Sequence, residues 1–296
     1  MRYDPPALLP VFYTPKMVPP SDRSSPSPAK PAPVVASWLT HGLPIVVIEP
    51  EPATVEELSA AHDPEFVRAV LEGRSENGFG NRSPEVAASL PYTSGAMLSA
   101  ARWVLAHGGA AAAPCSGFHH AGYDYACLFC TFNGLMVTAS VLRREGKVQR
   151  IGIVDCDQHY GDGTDEIISM LHAHAWVRHF SAGSRFHRRV DVGPFFDALP
   201  RTIASMRDVD LILYQAGADP HIDDPGHGWL TTAELRQRDA IVFEVTREIG
   251  VPLVWNLAGG YQQEPDGSIP KLLEIHDNTA REWVRVFGPG TDPRAT

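Results

Sequence analysis

Cysteine is scarce in this chain: four in 296 residues, at Cys115, Cys127, Cys130 and Cys156. That is too few to staple a chain of this length with disulfides. Cys127-x-x-Cys130 has the spacing of half a structural zinc site, but no second ligand pair follows at a matching spacing. The thiols are therefore expected to be reduced and mostly buried, in a reducing cytoplasm. Long apolar runs are also missing. The segments at 44–48 and 110–113 fall far short of the roughly 20 residues a spanning helix needs. The first residues, Met1-Arg2-Tyr3-Asp4-Pro5-Pro6, hold no apolar stretch of the kind a secretory signal requires. Basic charge is in deficit, 25 Lys and Arg against 35 Asp and Glu, a formal net charge of −10. That balance argues against a phosphate-binding nucleic-acid protein. It suits a cationic ligand, although net charge says little about partners. No internal repeat is present.

What is present is an ordinary globular composition, 44% hydrophobic and 20% charged, enough for a large core. The stretch 15–33 is dense in Pro and Ser and reads as a surface loop. No second break in composition follows, which points to one domain over 1–296. Around the loop, short apolar runs alternate with amphipathic stretches. Strands are expected at 9–14, 44–48, 151–155, 176–180, 211–215 and 252–256. Helices are expected after the capping box Thr54-Val-Glu-Glu57, after Asp63-Pro64, and over 94–107, 132–144, 231–250 and 270–287. Strands without alternation, separated by helices, imply a parallel sheet covered on both faces, a three-layer α/β/α domain. Such sheets place their sites beyond the C-terminal strand ends.

The strand ends carry the chemistry. Asp155, Asp157 and His159 are spaced by two after the strand at 151–155, so an extended chain points them to one side. Three metal-capable side chains running into Gly161-Asp-Gly163 favour a cation site. Asp219 follows the strand at 211–215, Tyr261 follows Gly259-Gly260, and His119-His120 sit in a glycine-containing loop as a candidate acid/base pair. Taken singly, each has a plain structural explanation: a helix cap, a turn with a buried ring, a surface pair. Four loops delivering Asp, His, Asp, His-His and Tyr to one face are harder to explain that way.

The same segments resemble motifs of the histone deacetylase and acetylpolyamine amidohydrolase superfamily. Gly117-Phe-His119-His120-Ala121 resembles its Gly-His-His-Ala motif. Asp155-x-Asp157-x-His159-x-Gly161-Asp162-Gly163 resembles its acidic loop, with Tyr160 in place of a second histidine. Gln215-Ala-Gly-Ala-Asp219, Asp223-Asp-Pro225, Leu257-Ala-Gly-Gly-Tyr261 and Ala61-His-Asp-Pro-Glu-Phe66 match further segments in family order.

The resemblance implies a single α/β domain of the kind shared with arginases. It implies one zinc per chain held by Asp157, His159 and Asp219, leaving positions open for water and substrate. His119 and His120 are implied as the base and acid pair, with the leaving amine assigned to His120. Asp155 and Asp162 would hold their outer nitrogens, and Tyr261 would donate to the developing oxyanion. A monovalent cation, potassium, is implied at main-chain oxygens of Asp155, Asp157 and His159 with the Ser181 hydroxyl. Phe129 would wall the substrate tunnel. Leu128 stands where the family has glycine, and Gly226 where it has a larger residue at the rim. The implied reaction is hydrolysis of an acylated primary amine, acetyl-lysine or an acetylpolyamine, in a cytoplasmic enzyme without nucleic acid or membrane partners. Two alternatives share the fold: an arginase-like hydrolase with two manganese ions, and a non-catalytic acyl-lysine binding protein. The sequence leaves oligomeric state and acyl length open.

Overall fold

The computed structural model describes residues 8–19 and 27–291. Seven strands, β1 (Leu9–Phe12), β2 (Ile45–Ile48), β3 (Ala110–Ala112), β4 (Ile151–Asp155), β5 (Val177–Ser181), β6 (Leu211–Gln215) and β7 (Leu253–Asn256), form one sheet in the order β2-β1-β3-β7-β6-β4-β5. Every pairing is parallel. The helices are α1 (Pro31–Thr40), α2 (Val55–Leu58), α3 (Pro64–Leu71), α4 (Pro84–His107), α5 (Gly134–Arg144), α6 (Asp162–Met170), α7 (Val192–Ser205), α8 (Thr232–Glu248) and α9 (Pro270–Phe287).

Period-two geometry explains how one sheet serves two cores. On β6, Leu211 and Leu213 face one cluster, with Val67 of α3, Met97 of α4 and Leu135 of α5. Ile212 and Tyr214 face the other, with Val34 of α1, Phe195 of α7, Val242 of α8 and Leu272 of α9. Both faces are covered, so the strand has no polar side to show in the sequence. Three layers result, helices on both sides of the sheet.

Helix starts follow local chemistry. Thr54 and Glu57 form a capping box, Asp63 accepts from the amides of Glu65 and Phe66, and Thr231 with Glu234 forms a second box. Four departures from the sequence expectations have clear causes. α4 begins at Pro84, ten residues before the expected start, because Ser83 caps it and Pro91 is accommodated inside it; a mid-helix proline reads as a stop. β3 is three alanines, which carry no strand propensity, and it is a strand because it fills the gap between β1 and β7. α6 and α7 were not expected at all: α6 opens inside the Gly-Asp-Gly turn, and α7 carries Pro200 in its interior. The stretch 15–33 is not a surface loop throughout. Met17, Ser27 and Lys30 are buried, and Pro31 opens α1, a position where proline's fixed φ and missing N–H are tolerated. Proline richness marks irregular backbone and says nothing about its depth; residues 20–26 of that stretch lie outside the described residues. No helix among the described residues is long and apolar enough to cross a membrane.

His62 ties the start of α3 to the loop that feeds α5. Its Nδ1 meets the Gly122 carbonyl at 2.8 Å, and its Nε2 accepts from the Asn133 amide at 2.8 Å. The acceptor role at Nε2 requires a neutral ring, and burial pushes the pKa down to about 4. An unfolded histidine titrates near 6.5. As pH falls from about 6.5 to about 4, the unfolded chain gains a proton that the folded ring refuses. Stability from this residue is therefore complete above pH 6.5 and falls with decreasing pH, by up to ~1.4 kcal/mol per pH unit. His62→Gln is expected to flatten the pH dependence of the urea midpoint in that range; an unchanged slope would show that His62 does not contribute.

Candidate metal centre and catalytic cleft

The register of the sheet aligns the strand ends. Ser181 of β5, Gln215 of β6 and Asp155 of β4 stand in one row, and Gln215 pairs onward with Asn256 of β7. The loops leaving this row carry Asp157, His159, Asp219 and Tyr261. The loop after β3 brings His119 and His120 to the same place.

Asp157, His159 and Asp219 each offer one ligand atom, and these lie within 4.8 Å of one another. His159 Nδ1 is 3.3 Å from Asp157 Oδ1 and 3.1 Å from Asp219 Oδ2. Main-chain amides hold the carboxylates from behind: Gly259 donates to Asp157 Oδ2 at 2.9 Å and Gln158 to Asp219 Oδ1 at 3.2 Å. Both acids are fully buried and close together. Burial and the Asp157 carboxylate push Asp219 upward. Burial also acts upward on Asp157, but His119 and the bond from His159 outweigh it and hold Asp157 well below the usual carboxylate range. Bonds to Asp157 and Asp219 raise His159 to about 10. His159 thus sits hydrogen-bonded between the two buried acids. Two carboxylates and one imidazole are a donor set that a divalent zinc ion fits, with positions left open.

The two adjacent histidines have different supports. His119 Nδ1 meets Asp155 Oδ2 at 2.7 Å, fully buried, while His120 Nδ1 meets Asp162 Oδ1 at 2.7 Å on an exposed carboxylate. Their rings lie 4.1 Å apart. Burial acts downward on His119, but Asp155 and Asp157 outweigh it and raise the ring to about 9. Burial and the charge of His119 push His120 down. Asp155 is itself fixed by the Asp157 amide and the Gln215 side chain.

A narrow cleft opens onto His119, His120 and Asp157, walled by Phe79, Phe129 and Tyr261, with Leu128, Cys130, Ser27 and Ser116 also in its lining. Phe129 lies 6.0 Å from Tyr261 and 5.8 Å from Phe79, centroid to centroid. Burial pushes the Tyr261 hydroxyl far up, so it remains a donor. Leu128 and Phe129 both have positive φ, 44° and 66°, at the tip of a tight turn closed by paired hydrogen bonds between Cys127 and Cys130. Glycine adopts this backbone without strain and leucine does not. Leu128 is 57% exposed at the rim. A Cβ on Gly226 would meet Asp224 Oδ1 at 3.3 Å and the His159 ring at 4.0 Å. Ser181 Oγ accepts from the Gly161 amide at 3.0 Å. The four cysteines are free, three of them buried.

Two contributors escape sequence reasoning. Phe79 sits in an Asn-Gly-rich segment with no periodicity. Lys30 is fully buried and donates to the carbonyls of Ala258 and Gly259, the latter at 2.8 Å. Burial pushes its pKa down to about 8, against the pull of Asp219, Asp157 and Asp224. It braces the turn that carries Tyr261. Its only signal is a lysine beside proline at the end of a Pro/Ser tract.

The family model for the histone deacetylase domain matches residues 27–181, just over half of the chain. The chain belongs to that family. The matched span holds His119, His120, Asp155, Asp157, His159, Asp162 and Ser181; Asp219 and Tyr261 lie beyond it. An uncharacterized protein of Picosynechococcus sp. is 28% identical over 253 residues, 75% of this chain and 84% of that protein. The acetoin utilization protein AcuC of Bacillus subtilis is 26% identical over 221 residues, 60% of this chain and 57% of AcuC. The histone deacetylase 2 of Arabidopsis thaliana is 26% identical, and the chain spans 46% of its length. Among solved structures, an acetylpolyamine aminohydrolase from Burkholderia pseudomallei superposes with a TM-score of 0.71 at 20% identity, over 95% of this chain and 99% of that one. The HDA15 HD domain gives 0.75 at 20% identity, over 97% and 91%. At that identity the likeness shows the fold.

The close approach at Gly259 is testable. A Cβ there would collide with the Asp219 carboxyl group and lie 2.7 Å from Asp157 Oδ2. Gly259→Ala is expected to spread the two carboxylates and lower the affinity of the site for a divalent metal at least ~10-fold, read by competition with a chromophoric chelator. Parent affinity in a folded variant would show that the spacing is not set by this contact.

Proposed function

We propose that this chain is a zinc-dependent deacylase that hydrolyses the amide of an acylated primary amine. The observation that carries the reading is a cleft lined by Asp157, two carboxylate-backed histidines and Tyr261, with His159 and Asp219 grouped around Asp157 behind it. Asp157, His159 and Asp219 would hold the ion. When bound, zinc supplies Lewis acidity, lowering the pKa of water toward about 7 and polarising the amide carbonyl.

The chain's own groups divide the remaining work. His120, with its pKa held below the ordinary value, has an unprotonated nitrogen to take the water's proton and return it to the leaving amine. His119, backed at Nδ1 by the buried Asp155 carboxylate, is placed to balance negative charge as it develops. This assigns both proton transfers to one ring, where the sequence motif suggested one transfer for each. Tyr261, firmly protonated, donates to the oxyanion. Phe79 and Phe129 form apolar walls suited to the alkyl stem of an amine such as acetyl-lysine or an acetylpolyamine. A potassium ion at main-chain oxygens of Asp155, Asp157 and His159 with Ser181 belongs to the same reading. It is carried over from the resemblance alone.

The test is a panel of acetyl-lysine peptides, acetylpolyamines and longer acyl-lysines, with and without chelator, alongside bulk metal analysis. One zinc per chain and chelator-sensitive cleavage are expected; two manganese ions would favour the binuclear alternative. Tyr261→Phe is expected to keep fold and zinc while kcat falls ~10²–10³-fold; near-parent kcat would remove Tyr261 from the mechanism. Asp219→Ala is expected to weaken zinc binding by orders of magnitude, and full zinc occupancy in that variant would sink the ligand assignment.

A further inference from the structure

One buried cation lies under the metal loops and is not used by the chemistry above. Arg238, in α8, is fully buried. Its Nη1 donates to the Cys156 carbonyl at 3.1 Å and to the Gly217 carbonyl at 2.6 Å. Its Nε donates to Asp239 Oδ1 at 2.9 Å, and Nη2 lies 2.8 Å from the same oxygen, off the hydrogen-bond axis. Asp239 is fixed in turn by the Tyr214 hydroxyl from β6 and by Thr279 Oγ1 from α9 at 2.6 Å. The guanidinium is therefore held from behind by one carboxylate and presents its front to two main-chain oxygens.

Those two oxygens belong to the loops that leave β4 and β6. Cys156 immediately precedes Asp157, and Gly217 stands two residues before Asp219. The named strands end at Asp155 and Gln215, paired side by side. The Cys156 amide makes one further bond, to the Gln215 carbonyl. Past that point the chains part, and buried carbonyls there need other donors. One planar fork supplies both. Space at the junction is tight as well: a Cβ on Gly217 would lie 2.8 Å from the Asp157 Cα and 2.7 Å from Asp219 Oδ1.

We infer that Arg238 is a positioning residue for the metal centre: by bridging the Cys156 and Gly217 carbonyls it sets the separation of Asp157 and Asp219. The inference rests on the zinc reading above and adds to it a residue that touches neither ion nor substrate. It also assigns a purpose to a buried ion pair, which by itself is weak evidence for stability.

The test uses the full chain with Arg238→Met and Arg238→Lys. Zinc affinity of the metal-stripped protein is measured by chelator competition, the visible spectrum of the cobalt-substituted form reports ligand geometry, and kcat and KM are measured on an acetyl-lysine peptide. Arg238→Met is expected to lose ~10–100-fold in zinc affinity, the range for outer-shell partners of a metal site. Its cobalt bands should shift, and kcat should fall with KM within about twofold. Arg238→Lys keeps the charge and lacks the fork, so partial recovery is expected. A folded Arg238→Met with the parent's affinity and cobalt spectrum, changed only in melting temperature, would overturn the inference. If Arg238→Met does not fold, Arg238→Lys decides: several-fold weaker zinc binding supports positioning, and parent affinity overturns it. A parent that binds zinc but cleaves nothing on the panel would refute the deacylase reading alone, because the affinities still decide Arg238. A parent that binds no zinc refutes both.

Discussion

Two buried carboxylates set the terms for the rest of the site. Asp157 and Asp219 are both out of water and close enough for one imidazole to reach both. Isolated buried charge of that kind is costly, and it persists only where a cation or hydrogen-bond donors compensate it. Here compensation comes in layers: His159 between the acids, the amides of Gly259 and Gln158 behind them, and His119 beside Asp157. A divalent ion would complete the arrangement, because Asp157, His159 and Asp219 each offer it one ligand atom.

The main chain around the site is braced by buried cations that form no surface salt bridge. Lys30 grips the turn before Tyr261, and Arg238 grips the loops before Asp157 and Asp219. Both act on carbonyls. Loops beyond parallel strands have outrun their ladder partners, and their polar groups need donors of their own. α8 supplies one of these donors and the turn that opens α1 the other. The layer architecture is thus linked to the geometry of the centre.

Much of this was legible in the residues. The strands at 151–155 and 211–215 stand where their apolar runs place them, and the caps at Thr54, Asp63 and Thr231 open helices as their chemistry requires. The spacing Asp155-x-Asp157-x-His159 points to a cation site; Asp157 and His159 group with Asp219, while Asp155 turns to His119. What was not legible shares one trait: it depended on neighbours distant in sequence. The three alanines of β3 are a strand only between β1 and β7. Lys30, one of four lysines in the chain, looked like part of a polar loop and is buried against residues more than two hundred positions away. Leu128 was readable as a departure from glycine, but its left-handed backbone and exposure at the rim were not. Gly226 was readable as a small residue near the site, but its approach to Asp224 and to the His159 ring was not.

By itself the sequence determined the chemical inventory and its order along the chain. Ligand spacing, strand-end placement and capping are local properties, written within a few residues. Tertiary structure decided which groups meet and in what electrical state. It separated His119 from His120 by giving one a buried carboxylate and the other an exposed one, and it put Arg238 beneath loops from two different strands. Those outcomes depend on distance and burial. Both are set by packing between segments far apart in the chain, and no local pattern of residues encodes them.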